Sequence, residues 1–373
     1  MAFTKIRSLL KNLLLSAAVF IVSVELLSFA AIKTKLIPAD APSYEWPTFV
    51  PFWDQLDKKF SNWHSPNARY VHVNSCYNVT YRSNRHGMRD RDRTIKASGK
   101  RIVYLGDSFA EGYGLARADR LSDRLEAMTS VPHLNFGVSG NFGPTQYLLL
   151  YRTLAKKFDH SGILVQLLPD NDFTDDDPAF WRRNPRDWYR PLFFKRNGAF
   201  ELDYIDKKKF EETDGWNRRE FVKGLRTIHR NYSYTSNLIA YFQVLFEDQN
   251  TAGRTGSYSG YYDFTDQQAA RFEFVIGELT KAAGDRAILF VVTPRASDIE
   301  RFRKAGPPSR FNALIDRLKA KHGSLRFLDL LPSFATRSDI DAFYNDCDGH
   351  WTPEGAAAAS EIISQHADYE SFL

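Results

Sequence analysis

The chain has 373 residues, 43% of them apolar and 25% charged, with a formal net charge of +5. That balance argues against a disordered or fibrous chain and leaves room for a sizeable core. No basic helix or nucleic-acid-binding signature is present, so no nucleic acid is expected as a partner; Cys76 and Cys347 lie in no Cys/His cluster of zinc spacing, so no metal or other cofactor is expected.

Residues Leu13–Ile32, LLLSAAVFIVSVELLSFAAI, are almost all apolar. About 20 such residues suffice to cross a bilayer as a helix. Lys5, Arg7 and Lys11 precede them, which predicts a cytoplasmic N-terminus, although Lys33 and Lys35 on the far side weaken that bias. Glu25 is the one charge inside, to be protonated or paired with a partner helix. Ser28-Phe29-Ala30 would serve as a signal-peptidase site, but the apolar run exceeds the usual signal core of about 7–15 residues. The reading is therefore a single-pass anchor over residues 1–35, uncleaved, with the rest periplasmic or otherwise extracytoplasmic. Residues 36–99 hold Pro38, Pro42, Pro47 and Pro51 and read as a stalk and irregular lead-in with short strands such as Tyr70–Val73.

From Lys100 the pattern alternates. Short apolar runs predict strands over Arg101–Leu105, His133–Phe136, Gly162–Leu168, Arg286–Val292 and Leu325–Leu330. Helices are predicted over Ala118–Met128, Pro144–Lys157, Asp266–Ala283 and Ile299–Lys321, the last broken at Pro307-Pro308. A final helix starts at Thr352-Pro353-Glu354, a cap residue followed by proline and an acidic first turn. This alternation predicts a parallel sheet with helices on both faces, a three-layer α/β/α domain over 100–373. A long insertion at about 173–264 interrupts it.

In open parallel sheets, sites gather where strands end. Gly106-Asp107-Ser108-Phe109 follows the first strand and presents a serine on a Gly-assisted turn. Most such serines only shape turns, and a nucleophile also needs a base. Gly137-Val-Ser-Gly140 follows the second strand, where an exposed N–H can meet an oxyanion. Asn171 follows the third strand as a neutral donor, or as the head of a simple Asx turn. Asp348 and His350 precede the last helix, an acid placed to orient an imidazole, although Asp-x-His also serves metals and surface turns.

Taken together, the GDSF and DGHWTPEG blocks, with Gly140 and Asn171 between them, resemble the SGNH (GDSL-type) hydrolase superfamily over about residues 100–368. The resemblance implies a flavodoxin-like α/β/α fold with Ser108 as nucleophile, His350 as base and Asp348 as its partner. Ser108, Gly140 and Asn171 would form the oxyanion hole. The family's acid usually stands three residues before the histidine, where this chain has Cys347, so Asp346 stays open beside Asp348. Asn84-Arg-His-Gly-Met-Arg89 also resembles a lead-in of exopolysaccharide-associated members.

The resemblance implies a serine esterase acting on acyl, above all acetyl, esters of envelope carbohydrate or lipid. The alternatives are an O-acyltransferase with the same triad and a silent glycan-binding protein. Trp181, Trp188 and Trp216 suit stacking on sugars or a small core, and Arg182, Arg183, Arg186 and Arg190 suit an anionic ligand or a solvated surface. Whether Cys76 and Cys347 pair, and the oligomeric state, stay open.

Overall fold

In a computed structural model, the structure describes residues 2–373 except 38, 40, 43, 45–51, 75, 184–188, 206–227, 252–257, 324 and 372. Trp188, Trp216 and Arg186 lie outside the described residues, as does the side chain of Arg183.

The apolar N-terminal run forms α1 (Ala2–Lys33), a helix long enough to cross a membrane and almost unburied. Two antiparallel hairpins follow, β1 (Trp53–Asp57) with β2 (Ser61–His64) and β3 (Arg69–Val73) with β4 (Asn78–Arg82). The lead-in is therefore more regular than its sequence suggests. It also enters the core: Phe60, Trp63 and Met88 join the main hydrophobic cluster.

The central sheet contains β5 (Ile102–Leu105), β6 (His133–Asn135), β7 (Gly162–Leu167), β10 (Ala287–Val292) and β11 (Arg326–Asp329). All pairings are parallel, in the order β11-β10-β7-β5-β6. Counting these five strands alone, the order is 2-1-3-4-5, the flavodoxin-like doubly wound arrangement. Every residue of β5 and β7 is buried, so both faces of the sheet are covered. This agrees with the α/β fold expected from the alternating pattern.

Short helices leave the first strands: α2 (Ser108–Glu111) after β5, α3 (Leu121–Thr129) before β6, α4 (Pro144–Thr153) before β7 and α5 (Pro169–Asp175) after it. The insertion carries α6 (Pro178–Arg183), the hairpin β8 (Arg190–Arg196)–β9 (Ala199–Ile205) and α7 (Tyr234–Thr251). Then come α8 (Asp266–Ala283), α9 (Ala296–Ala305), α10 (Arg310–Lys321), α11 (Leu331–Ala335) and α12 (Pro353–Ser364). The helix expected over 299–321 is two helices. Gly306 ends α9, and the two prolines lead into a fresh start at Ser309, whose hydroxyl accepts from the Asn312 N–H. At the last helix, Thr352 caps α12 by accepting from the Gly355 N–H.

Candidate active site

The turn after β5 has little room. A Cβ on Gly106 would sit 2.6 Å from the Ala110 Cβ and 2.9 Å from the Gln166 carbonyl, and its φ is +156°. Only glycine fits, and the chain then enters α2 at once with Asp107 as cap, its side chain accepting from the Phe109 N–H at 2.9 Å. Ser108 is thereby held at the first position of α2, at the end of a strand buried at every position.

The C-terminal block folds into a tight loop. Tyr344 and Trp351 form an antiparallel bridge, and the N–H groups of Asn345 and Gly349 close the loop on the carbonyls of His350 and Asn345 at 2.7 and 2.8 Å. This loop brings His350 Nε2 to 2.8 Å from Ser108 Oγ. The imidazole lies between the rings of Phe109 and Tyr113, with centroids 5.0 and 4.5 Å away.

Behind the imidazole, Nδ1 is 3.3 Å from Asp348 Oδ1, within ion-pair reach but outside the geometry of a full hydrogen bond. Asp348 also accepts from the His350 N–H at 3.0 Å and from the Tyr77 hydroxyl at 2.8 Å. Burial pushes its carboxyl up, but the imidazole, the His350 N–H and Tyr77 hold it below the usual carboxylate range. Asp346 is exposed and makes none of these contacts. The loop is tied from the other side by the Cys76–Cys347 disulfide, which joins the lead-in to the residue before Asp348.

Asn171 lies beside the serine turn, its Nδ2 donating to Asp107 Oδ2 at 3.1 Å. β5 and β7 are neighbours in the sheet, so the two turns meet at its topological switch point. The alternative of a strand-end Asx turn does not hold: Asn171 lies in the first turn of α5, which Pro169 starts. Next to Asn171, Asp170 pairs with Arg295 at 2.9 Å.

Gly140 stands on the loop after β6 with φ +100°, open to glycine at little cost. This loop is gripped by residues to which sequence reasoning gave no such role. Glu111, on the last residue of α2, accepts the Ser139 N–H at 2.6 Å and the Ser139 hydroxyl. Asn62 donates to the Gly140 carbonyl at 2.7 Å, and Arg190 donates to the Asn141 carbonyl. The peptide that carries the Gly140 N–H is therefore held on both sides.

Glu111 is fully buried and also accepts from Trp53 Nε1 at 2.9 Å and contacts His64 Nε2 at 3.1 Å. Burial opposes its charge, yet His64, Arg89 and Ser139 hold its carboxyl well below the usual range, down to about 2. The Asn84–Arg89 segment gains a physical role here. The Asn84 side chain accepts from the His86 and Met88 N–H groups, shaping the turn, and Arg89 reaches the Glu111 and Gly112 carbonyls at 2.8 and 2.6 Å. It thus caps the carboxyl end of α2.

In the insertion, one of two open readings holds and one expectation changes. Trp181 is 5% exposed and donates to the Asp175 carbonyl, so it is core rather than a sugar platform. Arg190 is buried and bonded to Gln146, so it is no surface cation. Arg182 remains exposed. Among the described residues no cluster of His, Cys, Asp and Glu suits a metal ion.

The fold and these groups define an α/β protein with serine, imidazole and carboxylate aligned at the switch point of its sheet. No family model matches the chain, and no curated protein matches it. Among solved structures, it is similar to a lipase/acylhydrolase from Enterococcus faecalis, at 12% identity and a TM-score of 0.38, over 73% of this chain and 97% of that one. It is similar to a GDSL-like lipase from Bacteroides thetaiotaomicron, at 11% identity and a TM-score of 0.36, over 73% and 89%. It is also similar to an acetyl xylan esterase from Butyrivibrio proteoclasticus, at 10% identity and a TM-score of 0.34, over 73% and 64%. Identities and scores this low assign no function, and the chemistry is read from the site itself.

Proposed function

We propose that the chain is an ester-acting serine enzyme of the SGNH type, working through an acyl-enzyme. The single observation that carries this reading is the 2.8 Å approach of Ser108 Oγ to His350 Nε2, with Asp348 behind the ring. Ser108 attacks the ester carbonyl as His350 takes its proton, and Asp348 stabilises the imidazolium. The anion that develops is met by the N–H groups of Ser108 and Gly140 and by Asn171. An Asn amide has two hydrogens; one goes to Asp107, and the other remains for substrate. His350 then returns the proton to the departing alkoxide. Water, or a sugar hydroxyl in a transfer reaction, attacks the acyl-enzyme with His350 again as base.

The substrate is an acyl, above all acetyl, ester of envelope carbohydrate or lipid. α1 crosses the membrane with its N-terminus in the cytoplasm, and the rest of the chain works on the far side. The basic residues before the apolar run support that orientation. The Cys76–Cys347 disulfide supports an oxidising compartment.

A fluorophosphonate probe tests the reading. The native chain should be labelled, Ser108→Ala should not be, and His350→Ala should be labelled far more slowly. Equal labelling of the native chain and Ser108→Ala would remove Ser108 from the role given. A chromogenic acetate ester, with and without an acceptor glycan, then separates hydrolysis from transfer.

A further inference from the structure

Glu25 is the lone charge within the apolar run of α1, and the structure gives it a partner. It accepts the Tyr234 N–H at 2.6 Å, the Thr235 N–H at 3.1 Å and the Ser233 hydroxyl at 2.9 Å. It therefore caps the N-terminus of α7 from the side of the anchor helix. One turn further along α1, Ser28 accepts from the Thr235 hydroxyl at 3.2 Å, and Phe29 packs edge-on against Tyr234 with ring centroids 5.0 Å apart. Leu238 and Tyr241 of α7 join a small apolar cluster with Ile32 and Tyr234.

The height of this contact is informative. Eight residues separate Glu25 from Lys33, about 12 Å of helix. If α1 spans the bilayer, α7 begins about that far below the outer end of the span, within the hydrocarbon. At the same level the other side of α1 presents Leu26 and Leu27, 62% and 71% exposed, as a lipid-facing surface should. Three polar side chains at the start of α7 are paired internally, as a bilayer favours. Ser233 and Thr235 bond to α1, and Asn237 donates to the Arg230 and Ser233 carbonyls at 2.6 and 3.2 Å. Outward, α7 presents Ile239, 53% exposed, and Phe242, 40%, with the exposed Gln243 next along the helix.

We propose that α7 is a second membrane-embedded element, seated on α1 in the outer leaflet, with Ile239 and Phe242 in contact with lipid acyl chains. This rests on the reading of α1 as a membrane span. The occupant of the exposed face is lipid because that face continues the unburied apolar surface of α1. Two consequences follow. The hydrolase domain is held to the bilayer through both its N-terminal anchor and its insertion, rather than on a loose tether. The anchor is also retained, because cleavage after Ala30 would remove Glu25, Ser28 and Phe29 and leave the start of α7 without its cap.

The test uses the full chain in phospholipid nanodiscs with single spin labels on Ile239→Cys, Phe242→Cys, Leu14→Cys and Lys319→Cys. The native cysteines are already joined. Leu14 reports the anchor, 68% exposed, and Lys319 an exposed position on the catalytic domain. Labels at 239 and 242 should resemble Leu14, with high collision rates for oxygen and low ones for a water-soluble nickel chelate. If they instead resemble Lys319 while Leu14 stays in lipid, α7 is not embedded and the proposal falls. If Leu14 itself reports water, the anchor reading fails and takes the proposal with it. Dipolar coupling between 239 labels of two chains would assign the face to a second copy and overturn the lipid assignment. Intact mass of the membrane-extracted chain should show the residues before Ala31 retained; their loss would also overturn it.

Discussion

Replacing Glu111 by Gln tests whether the loop bearing Gly140 is held from beneath by a buried charge. The native carboxylate takes the Ser139 N–H and hydroxyl, Trp53 Nε1 and His64 Nε2. An amide offers one acceptor oxygen and turns an NH2 group towards donors. Leaving part of such a buried charged set unpaired costs about 3–5 kcal/mol. The carboxyl's own shift gives a similar figure by an independent route, since a fall from an ordinary 4.5 to about 2 corresponds to about 3 kcal/mol. Against a typical stability of about 5–15 kcal/mol, the variant should fold but with a clearly lower denaturant midpoint.

The pH dependence has a definite sign. A carboxyl held below its unfolded value stabilises the fold above that unfolded value and loses this contribution as pH falls through the folded one. The native chain should therefore lose stability between about pH 4.5 and 2 through this group, and Glu111→Gln should lack that part of the slope. On an acetate ester kcat should fall, by at most the roughly 100- to 1000-fold expected for one lost oxyanion donor, with KM nearly unchanged. Denaturant titrations at several pH values, with kcat and KM measured separately, read all three effects. A variant with native midpoint and native kcat would refute the claim that Glu111 sets this loop.

Tyr77→Phe removes one donor to Asp348 and should slow acylation by less than about tenfold, in line with a net hydrogen bond of about 1 kcal/mol. The Asp348 carboxyl should itself titrate higher, because it loses part of what holds it low, read by NMR of the carboxyl carbon. Reduction of Cys76–Cys347, or Cys76→Ser, should cost about 2–5 kcal/mol of stability and slow fluorophosphonate labelling, since the bridge secures the loop before His350. Native labelling rates after verified reduction would show the loop to be fixed by its other contacts.

The groups legible in the sequence are those announced locally. Ser108, Asn171 and the Asp348–His350 pair each follow a strand end or precede a capped helix, so period and turn chemistry locate them. The residues that hold them in place carry no local signal. Trp53 meets Glu111 across 58 positions and Tyr77 meets Asp348 across 271, separations at which no spacing rule operates. Arg190 misled, and Trp181 stayed open between two readings, for a related reason. Arginine and tryptophan in a charged, aromatic stretch look alike whether they end on the surface or, as here, beneath a loop. The alternation of strands and helices was readable because each period is local; in the lead-in the strand at Tyr70–Val73 was readable, but the pairing of its hairpins was not, since it depends on aromatic packing that short strands do not advertise.

The same contacts bear on where the functional unit begins. Read from the alternating pattern, the α/β domain starts near Lys100, with the preceding residues as a stalk and lead-in. Physically, those residues supply Asn62 to the Gly140 carbonyl, Trp53 and His64 to Glu111, Tyr77 to Asp348 and Cys76 to Cys347. They also bury Phe60, Trp63, Tyr81 and Met88, each 6% exposed or less. At about 1.5–3 kcal/mol per buried large apolar side chain, those four contribute on the order of 6–12 kcal/mol, comparable to the whole stability of a typical domain. A chain starting at Lys100 should therefore be unstable or aggregated, and any soluble fraction should not react with a fluorophosphonate. One starting at Leu36 keeps the lead-in and should label at Ser108, although without α1 it loses the cap of α7. A soluble Lys100 chain labelled at the native rate would show that the lead-in only covers the site and does not build it.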